Sequence, residues 1–123
     1  MMEHLACTYR YRPGYGSTKY LLEFNFRDEV EDPIKFLLNI IKQLDPAISD
    51  INDLWQNDEV IFHITSTKGS FIISKDIWGF IFIMGEDNQL VLRTIDDILS
   101  SNPQFQKEQV DPNNYFIESV DGS

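Results

Sequence analysis

The segment LACTYRYRPGYGSTKYLLEFNF, residues 5–26, decides the fold. Apolar and polar side chains alternate from Leu5 to Arg12 and again from Thr18 to Phe26. Alternation with a period of two is typical of β-strands that bury one face. Residues 13–17, Pro-Gly-Tyr-Gly-Ser, have the composition of a turn. The segment is therefore predicted to form an antiparallel β-hairpin.

Two amphipathic helices are predicted after the hairpin. The first begins at Asp32-Pro33, because Asp accepts the unpaired N–H groups of a helix start and Pro fits the first helical position. It ends at Asp45-Pro46, since the residue before a proline is disfavoured in the helical region. The second helix spans about Gln89 to Ser101 and is stopped by Asn102-Pro103.

A short third helix is predicted directly after the first. Ile48, Ile51 and Trp55 recur at steps of three and four residues, which places them on one side of a helix. Asp50 and Asp53 would then project from the other side.

The rest of the chain predicts four further strands: Glu59–Ser66, Ser70–Lys75, Asp76–Met84 and Phe105–Val110. The third of these, DIWGFIFIM, is apolar on both faces, which is typical of a central strand covered on both sides. The order β-β-α-(α)-β-β-β-α-β predicts an α+β fold. We expect a mostly antiparallel sheet of five to six strands with two main helices packed on one face.

A chain of 123 residues is long enough to bury one core, so a single domain over residues 1–123 is predicted. Residues 111–123 form a polar C-terminal tail, with Tyr115, Phe116 and Ile117 as its anchor. A single cysteine, Cys7, excludes an intramolecular disulfide and a cysteine-based zinc site. With no apolar run of membrane-spanning length and no visible signal peptide, a cytoplasmic location is expected.

The charge balance is strongly acidic. Ten Lys and Arg residues face twenty Asp and Glu residues, which gives a formal net charge of −10 and a pI near 4.4. This charge disfavours binding to nucleic acids and to anionic membranes, and it favours a basic protein partner. The sequence contains no catalytic motif, no cofactor-binding motif and no metal-ligand spacing.

Two groups of residues suggest functions other than the capture of a basic protein. Cys7 and His63 would form a catalytic dyad only if their strands were neighbours with both side chains on one face. Arg10, Arg12 and Lys19 are interleaved with tyrosines in the first hairpin, a pattern that suits nucleotide stacking or a protein interface. The overall negative charge argues against nucleotides.

The acidity is concentrated between Lys42 and Lys68, where the sequence has no Lys or Arg. Mutual repulsion of unscreened carboxylates in this window costs stability, and a basic partner would relieve it. The predicted partner-binding residues are the four carboxylates of this window nearest its tryptophan, and the tryptophan itself: Asp50, Asp53, Asp58, Glu59 and Trp55.

The segment LVLRTIDDILSSNPQFQKEQVDPNNY, Leu90 to Tyr115, resembles the helix-then-strand ending of some small acidic bacterial toxin-immunity proteins. This resemblance implies a binding protein that occludes the active site of a toxin. Acidic secretion chaperones share the size and charge, but they begin with an amphipathic helix where this chain has a hairpin.

The sequence therefore predicts a non-enzymatic cytoplasmic protein that captures a basic partner through its acidic surface, as an immunity protein does. One alternative is a small enzyme or ligand-binding domain with a pocket between sheet and helices, using His63. Another is a subunit of a homodimer or larger homo-oligomer that pairs through its edge strands.

Overall fold

A computed structural model describes residues 5–115 of the chain. Within these residues, one sheet has the strand order β3-β4-β5-β6-β2-β1-β7, and all neighbouring pairs are antiparallel except β1 and β7. The strands are β1 (Cys7–Pro13), β2 (Tyr20–Phe26), β3 (Ala47–Leu54), β4 (Glu59–Thr65), β5 (Phe71–Asp76), β6 (Ile81–Met84) and β7 (Phe105–Lys107). The α-helices are α1 (Pro33–Ile40) and α2 (Gln89–Ser100).

The α+β class and the mostly antiparallel sheet are confirmed, as is the first hairpin, whose register pairs Cys7 with Phe26 and Pro13 with Tyr20. Among residues 5–115 the sheet has seven strands instead of the predicted five to six. The predicted last strand is shorter than expected, at Phe105–Lys107, and it lies at an edge parallel to β1.

The predicted short helix is wrong: residues 47–54 form strand β3 at the other edge of the sheet. Ile48 pairs with Ile64 and Ile51 pairs with Phe62, because the register shifts by a bulge between Ile48 and Asp50. Residues 62 and 64 share one face of β4, so the bulge places the two isoleucines on the same face although they are three residues apart. That spacing is the one that suggested a helix.

The predicted strand Asp76–Met84 is also corrected, because its first half is a turn. Asp76 ends β5, and its carboxylate accepts hydrogen bonds from the N–H groups of Trp78 at 3.0 Å and Phe80 at 2.9 Å. Gly79 takes a positive φ of 88°, which glycine adopts without steric cost. The remaining residues form β6, which lies in the middle of the sheet as predicted. Helices cover only one of its faces within residues 5–115, so Ile81 and Ile83 are buried while Phe82 and Met84 are half-buried, and the prediction of cover on both faces is wrong.

Helix α1 begins where the sequence predicts, at Asp32-Pro33, but it ends before the predicted Asp45-Pro46. The Asp32 side chain accepts a hydrogen bond from the N–H of Lys35 at 3.2 Å, and Pro33 occupies the first turn. The α-helix ends at Ile40, and a 3₁₀ turn at Lys42–Leu44 carries the chain to Asp45, which has a positive φ of 52°.

Both helices pack on one face of the sheet and bury a single core there. On that face β1 and β2 alternate inward, and the central strands β5 and β6 contribute isoleucines. The fully buried side chains include Tyr9, Leu22, Phe24, Ile64, Ile73, Ile81 and Ile83 from the sheet, and Leu37, Ile41, Leu92, Ile95 and Leu99 from α1, α2 and the residue after α1. The opposite face has no helix over it within residues 5–115.

Helix α2 is held to the sheet by polar contacts at its first residue and in its second half. The Tyr9 hydroxyl donates to the Asp96 carboxylate at 2.8 Å, and Lys107 pairs with the same carboxylate at 2.9 Å. At the start of the helix, the Gln89 side chain accepts from the N–H of Tyr20 at 2.8 Å and donates to its carbonyl at 3.1 Å. These bonds fix α2 over β1, β2 and β7.

Arg12 forms a buried latch between the first hairpin and residue 115. Its side chain donates to Glu23 at 2.6 Å and to the carbonyl of Pro13 at 2.9 Å. Its guanidinium also lies 5.1 Å from the ring centre of Tyr15 and 4.8 Å from that of Tyr115. Tyr115 is thus the part of the predicted tail anchor that the structure shows buried. Phe116 and Ile117 lie outside the described residues.

We expect Arg12→Lys to lower the free energy of unfolding by about 2 kcal/mol, because lysine cannot reproduce the planar fork between two rings. Urea unfolding measures the change. Arg10→Lys is the matched control: Arg10 lies on the same strand in an exposed pair with Glu108, and this change is expected to cost about 0.5 kcal/mol. Equal losses for the two variants would contradict a special role for the latch.

Candidate functional site

Two tight turns lie side by side at one end of the sheet. Residues 55–58 connect β3 to β4, and residues 77–80 connect β5 to β6. Glu59 pairs with Asp76 across β4 and β5, and the N–H of Ile77 donates to the carbonyl of Asp58 at 3.1 Å. We call residues 53–59 together with residues 76–80 the tip.

The backbone of the tip is fixed by its own hydrogen bonds. Trp55 begins a 3₁₀ turn in which the N–H of Asp58 donates to the Trp55 carbonyl at 3.2 Å. Asp58 has a φ of 56°, in the left-handed region that most non-glycine residues avoid and that Asp tolerates better than most. The neighbouring turn is held by the Asp76 carboxylate described above. The side chains of the tip therefore project from a defined frame.

The tip exposes a group of large apolar side chains. Trp55 and Trp78 are each 73 % exposed, although tryptophan is usually well buried. The same end of the sheet exposes Leu54, Ile77 and Phe80. Contiguous exposed apolar surface is typical of interaction sites, and tryptophan is enriched among the residues that contribute most to binding.

Carboxylates surround this apolar surface. Within residues 5–115, those of Asp53 and Asp58 take part in no hydrogen bond or ion pair. Glu59 accepts a hydrogen bond from the buried Ser74, and Asp76 holds its own turn. Asp53 and Asp58 are therefore available to an external cation.

A groove of about 380 Å³ opens on the side of the tip that continues the helix-covered face. Half-buried Val60 and Phe62 belong to its lining, and so do Trp55 and Ile77. Polar groups contribute the rest of the lining: Asp53, Asp58, Glu59, Lys75 and Asp76.

The structure brings four of the five predicted partner-binding residues together: Asp53, Trp55, Asp58 and Glu59 all line the groove. Asp50 lies apart from them. It lies further along β3, where it is opposite His63 in the strand register. Its carboxylate accepts a hydrogen bond from the N–H of Ile51 at 2.9 Å.

The sequence reasoning missed the second turn of the tip, which contributes Ile77, Trp78 and Phe80. The sequence predicts a continuous central strand there, because these residues are apolar. The signal that could have located the turn is Asp76 followed three residues later by Gly79, a combination typical of turns.

The structure excludes a dyad of Cys7 and His63. Their strands, β1 and β4, are separated by β2, β6 and β5. Cys7 is buried in the core on the helix-covered face, whereas His63 faces the other side, where its Nε2 lies 2.5 Å from the Asn52 side-chain oxygen.

His63 does line a second concavity, of about 540 Å³, at the opposite end of the sheet from the tip. Ile72 and Met84 supply apolar surface, and the turn before α2 supplies polar groups. In that turn the Asn88 side chain donates to the carbonyls of Lys68 at 3.0 Å and Ser70 at 3.1 Å, which fixes the wall of the concavity.

The basic residues of the first hairpin are mostly neutralised within the fold. Arg10 pairs with Glu108 at 2.9 Å and Arg12 pairs with Glu23 at 2.6 Å. The Arg–Tyr pattern that suggested nucleotide stacking is thus used in internal contacts, chiefly the Arg12 latch.

No helix within residues 5–115 has the length and apolar character needed to cross a membrane. Among the same residues, no group of three or more His, Cys, Asp and Glu side chains is arranged to hold a metal ion.

Comparison of the chain with protein-family models, with curated proteins and with solved structures finds no match.

Burial raises the pKa of the Cys7 thiol from 9.0 to about 12. We expect Ellman's reagent at pH 8 to label Cys7 only as fast as the chain unfolds, because the folded thiol is both buried and protonated. Rapid labelling of the folded chain would contradict this burial.

The same shift predicts a pH dependence of stability. The unfolded thiol ionises above pH 9 while the folded thiol keeps its proton, so the free energy of unfolding should fall as pH rises from 9 towards 12. Urea unfolding at several pH values measures the slope. The variant Cys7→Ala isolates the contribution of the thiol, and an identical slope in that variant would contradict it.

Proposed function

We propose that the chain is a non-enzymatic binding protein that captures a basic protein partner through the tip. The observation that carries this proposal is the pair of tryptophans exposed in adjacent turns, beside the unpaired carboxylates of Asp53 and Asp58. Tryptophan supplies large contact area on a rigid side chain, and a carboxylate at its edge selects a positively charged neighbour.

The net charge of −10 supports the same proposal, because its electrostatic field acts over a longer distance than the contacts of the tip. A negative field attracts a basic partner during diffusion and raises the association rate, and salt screens this attraction. Contact at the tip then determines how long the complex lasts, because buried aromatic anchors act mainly on dissociation.

In this proposal the partner is a basic bacterial toxin domain, and the chain acts in the cytoplasm as its immunity protein. The small size, the acidity and the resemblance of the segment Leu90–Tyr115 to immunity proteins support this assignment. Binding of the tip over a positively charged active site would exclude its substrate.

The concavity at His63 supports a second candidate function, the binding of a small ligand. Its apolar lining and fixed polar rim are typical of small-molecule sites. Homodimerisation through β3 is less favoured, because Asp50, Asp53 and the bulge at this edge are features that oppose pairing with another strand.

We expect Trp55→Ser and Trp78→Ser each to raise the Kd for the proposed basic protein partner by about 30-fold. Surface plasmon resonance measures the change. Leu90→Ser is the matched control, because Leu90 is 66 % exposed on α2, away from the tip. Losses no larger than that of the control would contradict binding through the tip, whereas effects confined to His63→Ala would favour the second candidate.

Removing charge from the tip should slow association. We expect the double variant Asp53→Asn and Asp58→Asn to lower the association rate by about tenfold at low salt and to weaken its salt dependence. Glu86→Gln with Asp87→Asn removes the same charge from an exposed turn at the opposite end of β6. Stopped-flow rates that fall equally in both double variants would show that net charge, not the tip, attracts the partner.

A further inference from the structure

The tip groove has an apolar base that the helices leave uncovered. Val60 lies between Asp53 on β3 and Lys75 on β5, and the three residues form one row across the sheet. Phe62 lies in the next row towards the core and packs against it. Trp55 and Ile77 rise from the two turns and remain largely exposed.

Unpaired negative charges around this base favour the binding of a cation. The unpaired carboxylates of Asp53 and Asp58 lie at the groove, and Lys75 is its only Lys or Arg among the described lining residues. Lys75 forms no ion pair within residues 5–115, so neither aspartate is bonded to it there. An apolar slot with two open carboxylates suits a side chain that has an aliphatic stem and a positive end.

We propose that this groove receives one arginine side chain of the basic partner. The stem lies on Val60, the guanidinium stacks on the ring of Trp55, and Asp53 and Asp58 accept its N–H groups. This inference rests on the proposed function and names the group that the tip recognises.

Arginine fits these groups better than lysine does. The planar guanidinium stacks on an aromatic face and presents several N–H donors in a fixed fork, so it can satisfy the ring and two carboxylates together. An ammonium is a compact and strongly hydrated charge, which loses more solvation in a partly apolar slot. A second copy of this chain would place its own tip carboxylates against these, which opposes self-association.

The backbone at Asp58 allows the turn and the carboxylate to be tested separately. Its φ of 56° is one that glycine adopts without steric cost. The variant Asp58→Gly therefore separates the two roles: it keeps the turn and removes the carboxylate.

The probe is the peptide acetyl-Gly-Arg-Gly-amide, titrated into the ¹⁵N-labelled full chain and followed by NMR. Its matched control replaces arginine by citrulline, which has nearly the same shape without the charge. We expect the arginine peptide to shift the indole N–H of Trp55 and the amides of Val60 and Ile77. The citrulline peptide should bind about tenfold more weakly.

Variants make the assignment specific. Asp58→Gly should weaken binding of the arginine peptide about fivefold without lowering the stability of the fold. Lys75→Met should strengthen it about threefold by removing the like charge, whereas Lys68→Met, in the exposed turn before β5, should leave it unchanged.

Several outcomes would overturn the inference. These are equal shifts with the citrulline peptide, tighter binding of a third peptide, acetyl-Gly-Lys-Gly-amide, shifts confined to Trp78 or to the concavity at His63, and a dimer in sedimentation equilibrium that Trp55→Ser disrupts. If Trp78→Ser weakens binding of the basic partner but the arginine peptide does not shift the NMR signal of Trp55, the groove inference fails and the proposed function stands. If the peptide shifts Trp55 but no basic protein binds the tip, the proposed function fails instead.

Discussion

The structure depends on one constraint: two short helices must cover the apolar face of a seven-stranded sheet. Within the described residues, α1 and α2 seal the part of the face formed by β1, β2, β6 and β5, where the buried residues concentrate. Strand β3 lies beyond this cover, and each of its residues is exposed. Apolar side chains therefore remain exposed beside a well-packed centre. The tip lies at one end of the sheet and includes the turn between β5 and β6 as well as the turn between β3 and β4.

The two turns of the tip are rigid for different reasons, and both reasons are local. One uses an aspartate in a left-handed backbone conformation, and the other uses an aspartate side chain that caps two backbone N–H groups. Asp58 and Asp76 thus supply shape and negative charge at once. A surface built in this way needs little reordering when a partner arrives, which lowers the entropic cost of association.

Much of the fold follows from local sequence signals, and the errors have identifiable physical causes. The first hairpin, the cap at Asp32 and helix α2 were predictable because each is encoded by adjacent residues. Strand β3 was not, because its bulge converts the period of a strand into the three-residue spacing of a helix. Four of the predicted site residues do meet in one groove, but Trp78 was missed because an apolar turn looks like a buried strand. The pairing of β7 with β1 joins distant segments, and nothing in either segment indicates it.

That distant pairing has a consequence for how the chain folds. Arg10 and Glu108, which are bonded across β1 and β7, are 98 residues apart in the sequence. During synthesis the outer edge of β1 therefore remains unpaired until nearly all of the described chain has left the ribosome. Closing so long a loop comes late because its entropic cost is repaid only once both strands are present. In the interval the nascent hairpin offers an open edge to other chains, and pairing with β7 closes that edge.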